Sequence, residues 1–321
     1  MRVARILIGA LIAVSAAAAH AQSYPSRSVR LIVPFPPGGS ADILARTVGQ
    51  KMSEGLAQSV VIENRPGAGT AIGAEATAKS APDGYTIMIG TVSSHAINPS
   101  LNAKLAYDPI RDFTPISPVA SIPFALLVHP SLPAKNMQEL IAIARAKPGV
   151  LNFSSAGTGT SNHLAGELLK SMARVDLVHI PYKGSAPALN DLLAGQVNMM
   201  FDLILTAAPH VKAGTVRAVA VTGKDRSIAL PNVPTITESG LPGYEVSAWF
   251  GIFAPANTPA DVVQRLNQEV VRVMQLTDVR ERLAGQGAEP MSSSPAAFAE
   301  YVRGELIKWS GVVKTAGMRS E

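Results

Sequence analysis

No cysteine occurs anywhere in the 321 residues. That excludes a disulfide framework, a thiol nucleophile and a lipid-attachment site behind a leader, so stability must come from the core alone. Aromatic residues are scarce at 5%, and none sits in a stacking pattern among clustered lysines or arginines, so the surface that binds nucleic acid is missing. Neither charge sign dominates. The 28 basic residues face 23 acidic ones, and discounting Arg2 and Arg5 of the leader described below leaves 26 against 23, a slight basic tint suited to small anions or to an ordinary surface. Past the amino terminus there is no run of about 18 uninterrupted apolar residues, the length a membrane span needs.

Catalytic signatures are also lacking. The sequence has no G-x-S-x-G nucleophile elbow and no H-E-x-x-H zinc helix. Gly67-Ala68-Gly69-Thr70-Ala71-Ile72-Gly73 has one residue too many for a dinucleotide fingerprint, Gly157-Thr158-Gly159 lacks the third glycine, and Gly223-Lys224 lacks the upstream glycine of a phosphate loop. Of the six histidines, His20 falls in the leader, while His95, His129, His163, His179 and His210 show no metal-ligand spacing. His163 and Glu167 share a helix face, a pair more common as a surface contact than as a site. The expectation is a non-enzyme without cofactor or metal.

What is present begins with Arg2 and Arg5 ahead of an apolar stretch from Ile6 to Ala19 and the small-x-small string Ala19-His20-Ala21. This reads as a secretory signal peptide over residues 1–21, cleaved near Ala21, with a soluble periplasmic product starting near Gln22. About 300 mature residues exceed what one core usually serves, so two domains are expected, and 47% hydrophobic content suffices for both.

Apolar runs rich in Val, Ile and Leu alternate with helix-period stretches, which predicts an α/β fold with mainly parallel sheets flanked by helices. A strand at Arg30 to Pro34 leads into a helix in which Leu44, Val48, Met52 and Leu56 recur every fourth residue, with Gly55 punctuating its far side. A strand at Tyr85 to Gly90 ends in the polar string Thr91-Val92-Ser93-Ser94-His95. The pattern restarts at Ile122 to His129 with a helix at Met137 to Ala146. Strands at Asn152 to Ser154, Asp176 to Ile180, Val197 to Phe201 and Val216 to Val221 follow, with helices around Leu164, Leu168 and Met172 and from Ser185 to Ala194. After a strand at Ala248 to Ala254, helices fill Pro259 to Gln275, Val279 to Ala284 and Pro295 to Thr315. Those late helices have no sheet of their own, so they are expected to return to the first domain. This gives one lobe of residues 22–124 with 248–321 and a second of residues 125–247, joined by a hinge of crossing strands.

Two turns share one design. Val29-Arg30-Leu31-Ile32-Val33-Pro34-Phe35-Pro36-Pro37-Gly38-Gly39-Ser40 and Leu151-Asn152-Phe153-Ser154-Ser155-Ala156-Gly157-Thr158-Gly159-Thr160-Ser161 each carry a strand through small residues into a helix. Each sits at a strand's carboxyl end, where open sheets place ligands, and each feeds a helix N-terminus that attracts anions. Thr160 or Ser161 is expected to cap its helix. Ser93, Ser94 and His95 end a strand on the same edge and either reach the cleft or form a loop network. Asp202 either accepts a hydrogen bond from a ligand hydroxyl or amine or serves structure. Tyr182 and Lys183 follow another strand, Lys183 attracting anions or being a solvated turn residue. Trp249 either walls the pocket or plugs the hinge.

The strings Pro34-Phe35-Pro36-Pro37-Gly38-Gly39-Ser40-Ala41-Asp42, Glu63-Asn64-Arg65-Pro66-Gly67-Ala68-Gly69, Ala81-Pro82-Asp83-Gly84-Tyr85-Thr86, Ala156-Gly157-Thr158-Gly159-Thr160-Ser161 and Pro181-Tyr182-Lys183-Gly184, in this order and spacing, resemble the Bug-type solute-binding proteins of tripartite tricarboxylate transporters. The likeness runs on through Trp249-Phe250-Gly251. It implies a two-lobed type II periplasmic binding protein that closes like a Venus flytrap on a carboxylate or related small molecule and hands it to integral membrane transporter subunits. It also implies that Phe35 to Ser40, with Pro37, Gly38 and Gly39 between, and Gly157 to Ser161, with Thr158 and Thr160, hold the ligand carboxylate, partly through ordered water. Lobe closure requires no second subunit, so a monomer is expected. The ligand stays open among dicarboxylates, tricarboxylates, aromatic acids, amino acids and amides. A secreted hydrolase or isomerase and a periplasmic sensor are the competing readings.

Overall fold

The computed structural model describes residues 24–102 and 104–315; the leader predicted over residues 1–21 lies outside them. Strand β1 (Val29–Val33) is parallel to β2 (Val60–Asn64) on one side and β3 (Thr86–Thr91) on the other. Helix α1 (Ser40–Leu56) covers them, and Leu44, Val48, Met52 and Leu56 are all buried, as their fourfold spacing requires. Gly55 stands one residue before the end of α1, where the sequence pattern puts the close of the helix. A methyl group built there would lie 2.2 Å from a Glu269 carboxylate oxygen, so glycine permits α8 (Ala260–Gln275) to close against α1.

Strand β4 (Phe113–Val128) is the spine of the molecule. Up to Pro123 it is antiparallel to β9 (Ser247–Pro255), and from Phe124 onward it pairs instead with β7 (Met199–Leu203) and β8 (Arg217–Val221). Pro115 and Pro118 lie at irregularities in the β9 pairing, where a missing N–H costs no ladder bond. The path across the sheet runs β2-β1-β3-β9-β4-β7-β5-β6, with β5 (Asn152–Ser155) parallel to both β6 (Val178–Pro181) and β7. Each half therefore carries a parallel three-strand set ending at the central antiparallel seam.

Helices α4 (Met137–Ala146), α5 (Ser161–Ala173), α6 (Ser185–Leu193) and α7 (Ile204–Lys212) belong to the second half. The late helices α8, α9 (Thr277–Gly285) and α10 (Pro295–Thr315) return to the first half, where α8 lies on α1 and β4 and α10 on β4. Among the elements that escape the periodicity argument are β2, α2 (Ala71–Ala78) and α7. Strand β7 runs straight into α7 without a turn residue, and α7 contains Pro209, so its apolar run carries no boundary signal. The polar string after β3 is a π-helical turn (Ser93–Ile97) leading into α3 (Asn98–Leu101).

Candidate functional site

Three helix N-termini converge where the two halves meet. The first residues of α1, α5 and α6 are Ser40, Ser161 and Ser185, and all three line one pocket with Phe35, Thr91, Ser93 and Asn162. None of these helices has a side-chain N-cap hydrogen bond. Their first-turn N–H groups have no partner within the helix, and the three dipoles place partial positive charge at one point. No charged side chain lines that pocket. Its free volume is about 20 Å³, the scale of one water molecule. It adjoins a wider cleft of about 710 Å³, with which it shares Phe35 and Pro36, and is called the floor of that cleft. The described lining of that cleft includes Lys104 and Lys183 and no carboxylate, so its field favours anions.

The halves touch across the floor. The Ser161 amide donates to Ser93 Oγ at 3.1 Å, and Ser40 Oγ lies 3.1 Å from Thr206 Oγ1. A methyl built on Gly39 would come within 4.0 Å of Ser185 Cβ, and one on Gly38 within 3.9 Å of Ala186 Cβ. Gly38 and Pro37 are exposed, whereas Gly39 and Ser40 are buried in the seam.

The first loop is shaped by Asp42, which sequence reasoning left without a role. Its carboxylate accepts the Gly38 amide at 3.1 Å, Arg46 Nε at 2.9 Å and Asn64 Nδ2 at 2.9 Å, while Asn64 also donates to Phe35 O. Burial pushes Asp42 upward, but the bonds from Arg46, Asn64 and Gly38 outweigh it and hold the acid below its ordinary value. It is thus an anion paired with Arg46 that holds the Gly38 loop against the first turn of α1.

The second loop is shaped by two stacked histidines. His163 and His179 lie ring on ring at 3.8 Å. His163 Nδ1 accepts the Gly159 amide at 3.3 Å, and His179 Nε2 is 2.7 Å from Ser155 Oγ, which accepts the Gly157 amide. Burial, with Lys170 nearby and each ring beside the other, pushes His163 down to about 3, and burial with Lys170 pushes His179 down to about 4. Both are neutral at pH 7, so the contact of His163 with Glu167 at 3.8 Å is not an ion pair.

The other predicted residues separate. Thr160 occupies the N-cap position of α5, yet its hydroxyl donates to Gly157 O at 2.6 Å, correcting the expectation that Thr160 or Ser161 caps the helix. Gly157, Thr158, Tyr182 and Lys183 line the outer cleft, with the Tyr182 hydroxyl donating to Asp191. Ser93 reaches the floor, but Ser94 and His95 do not. Ser94 is bonded to Thr91 and to His95 Nδ1, and the His95 ring is stacked 3.9 Å from Phe253 in the core, where burial pushes it down to about 3. Trp249 is also turned inward, donating to Glu305 at 3.0 Å beneath the hinge strands. Asp202 is fully buried behind Ser40, reached through Thr206. Ser185 and Asn162 were absent from the sequence-based candidates, and the only available signal for Ser185 was Gly184 preceding a helix after a strand. Among the described residues there is no group of three metal-ligating side chains and no helix long and apolar enough to cross a membrane.

Comparison with known proteins places this architecture. A solved structure described as R. palustris Rpa4515 with adipate is 40% identical, covers 92% of this chain and 99% of its own, and superimposes with a TM-score of 0.90. MatC (Rpa3494) from Rhodopseudomonas palustris with bound malate is 37% identical, with 90% and 100% coverage and a TM-score of 0.87. The periplasmic binding protein BugD is 35% identical, with 93% and 100% coverage and a TM-score of 0.90. The two-lobed binding-protein fold is therefore that of this chain. The family described as “Tripartite tricarboxylate transporter family receptor” matches residues 44–318. The chain belongs to this family of solute-binding receptors, not to a family of enzymes.

Proposed function

We propose that this chain is an extracytoplasmic receptor that closes around a small carboxylate and delivers it to the membrane subunits of a tripartite transporter. Its lobes are residues 22–124 with 248–321 and residues 125–247, a division supported by the change of β4 partners at Phe124. The observation that carries the reading is the convergence of three helix N-termini without side-chain caps on a pocket free of charged side chains. A carboxylate head there receives main-chain N–H bonds from both lobes, together with the hydroxyls of Ser40, Ser93 and Ser161, and the rest of the molecule extends along the outer cleft past Gly157, Thr158 and Tyr182. Each charge-assisted bond contributes about 1.5 to 3 kcal/mol, so a few give the roughly 8 kcal/mol of micromolar affinity without a basic contact. The adipate and malate of the two related structures are of this chemical class. Export to the periplasm rests on the leader read in residues 1–21 and on the family.

The test is thermal melting of protein stripped of carried-over ligand by unfolding and refolding, against di-, tri- and aromatic carboxylates, amino acids and amides. At about 100 times its Kd a true ligand adds about 2.7 kcal/mol and raises Tm by several degrees. Gly39→Val, which fills the seam without requiring an unusual backbone angle, should abolish the rise. No shift with any carboxylate defeats the reading.

A further inference from the structure

Asp202 is an acid sealed into the lobe seam, with an exposure of 0%. One carboxylate oxygen, Oδ1, has no hydrogen-bond partner, and the other accepts the Thr206 hydroxyl at 2.7 Å. Thr206 Oγ1 is in turn 3.1 Å from Ser40 Oγ, across the seam and on the floor of the cleft. The Thr206 hydroxyl also reaches Leu203 O at 3.0 Å; with Asp202 ionised its single proton points to Oδ2 or to that carbonyl, so toward Ser40 it can only accept, and Ser40 must donate to it. The Ser40 hydroxyl is then turned away from an incoming anion, and a buried negative charge stands two hydrogen bonds from the ligand's own.

We propose that carboxylate capture by this receptor takes up one proton, which is held at Asp202 and reverses the Asp202–Thr206–Ser40 hydrogen-bond chain. The inference rests on the receptor reading above. The proton comes from solvent and bonds to Oδ2. The acid O–H then donates to Thr206 Oγ1, which frees the Thr206 O–H to turn from Oδ2 and Leu203 O to Ser40 Oγ, and the Ser40 O–H is released to the ligand carboxylate. No covalent bond other than the new O–H forms, and the added proton offsets the charge the ligand brings.

The surroundings support the step. Burial pushes Asp202 up to about 7, against smaller lowering effects of the Thr206 hydroxyl and the Leu203 backbone. Strand β4, which faces it through Ala125, carries no titratable residue. On the neighbouring helices, Asp42 and Arg46 of α1 bond each other, Glu167 of α5 is bonded to Lys170 and stands beside His163, and Asp191 of α6 accepts from Tyr182. His210 and Lys212 lie at the far end of α7. Among the described residues no charged partner is hydrogen-bonded to Asp202, so the proton has no internal competitor there.

Titration calorimetry with adipate and with malate, in phosphate and in Tris at about pH 7.5, tests this. Binding should take up about three-quarters of a proton at this pH, approaching one at higher pH, read as a difference in heat between the two buffers. Affinity should weaken toward tenfold per pH unit between about pH 7 and pH 8.5, above the ionisations of the ligands themselves. D202N should bind with no buffer-dependent heat and a flat pH profile, and T206V, which cuts the chain, should show reduced proton uptake. Binding with zero proton uptake in the wild type, or undiminished uptake in D202N, overturns the inference and leaves the receptor reading standing. If neither dicarboxylate binds at any pH, the receptor reading fails for this ligand class and the inference falls with it.

Discussion

Thr222 holds both backbone polar groups of Phe124: the Phe124 amide donates to Thr222 Oγ1 at 2.8 Å, and the Thr222 amide donates to Phe124 O at 2.9 Å. The same hydroxyl donates to Val246 O at 2.5 Å, and the Val246 amide returns a bond to Thr222 O. Phe124 is where β4 changes partners, and Val246 is where the chain re-enters β9. One buried hydroxyl therefore ties both crossings together. Thr222→Val keeps the shape and strands the Phe124 amide, so it should cost about 1 to 3 kcal/mol in urea unfolding. Thr222→Ser should recover most of that. A Val variant as stable as the wild type would show that the hydroxyl does not pin the crossings.

The rim of the cleft is made of glycines for a different reason. A methyl on Gly184 would meet Pro36 at 2.2 Å, and one on Gly159 would meet Asn98 Oδ1 at 2.2 Å, in both cases an atom of the opposite lobe. Both glycines also have positive φ, at 131° and 81°. Alanine at either position should hold the lobes apart. We expect ligand affinity to fall on the order of 10- to 100-fold, or about 1.4 to 2.8 kcal/mol. Small-angle scattering of the ligand-saturated variants should show a radius of gyration that no longer contracts as the wild type does. Full contraction with normal affinity would show that the rim yields at little cost.

Much of the fold is legible because local chemistry and global packing agree. The helix at Met137 to Ala146 and the last helix at Pro295 to Thr315 stand where the sequence pattern puts them. The two glycine loops are equally visible, since strand, small residues and helix follow one another in sequence. What stays hidden is whatever depends on partners distant in sequence. Ser40 and Thr206 are 166 positions apart, and nothing near either announces the other. The helix start at Ser185 is legible, but nothing local says that it faces Ser40 and Ser161, and nothing beside Gly55 announces the approach of Glu269 from α8. Burial also decides what the sequence leaves open: His95 and Trp249, each readable as a cleft residue or a structural one, are drawn into the core by Phe253, Phe113 and Glu305.

The stacked histidines make the second lobe acid-sensitive. His163 and His179 titrate near 3 and 4 in the folded chain and near 6.5 when unfolded. Below about pH 6.5 the unfolded chain therefore binds protons that the folded one refuses, and stability falls as pH drops toward 4. Protonating Nδ1 of His163 would also remove the acceptor of the Gly159 amide and loosen the ligand loop. Melting temperatures should decline between pH 7 and pH 5, with a shallower decline in His163→Gln and His179→Gln. Identical slopes in wild type and both variants would place the acid sensitivity elsewhere.

Asp202 should act on stability with the opposite sign. Its folded pKa of about 7 exceeds the ordinary carboxyl value of 3.8, so between those two points the folded chain holds a proton that the unfolded chain has released. Its contribution is unpenalised below about pH 4, is eroded as pH rises through this window, and stays low above 7, the full span being at most about 4 kcal/mol. Asn at this position carries no charge to desolvate. The stability of ligand-free D202N relative to the wild type should therefore climb from pH 5 to pH 7 and then level off, whatever constant cost the substitution adds. Urea unfolding at several pH values measures that difference directly. Because no ligand is present, it separates the acid's own titration from its coupling to capture. A difference that stays constant from pH 5 to pH 8 would mean that Asp202 is already ionised in the open receptor, with water reaching Oδ1 whenever the lobes part.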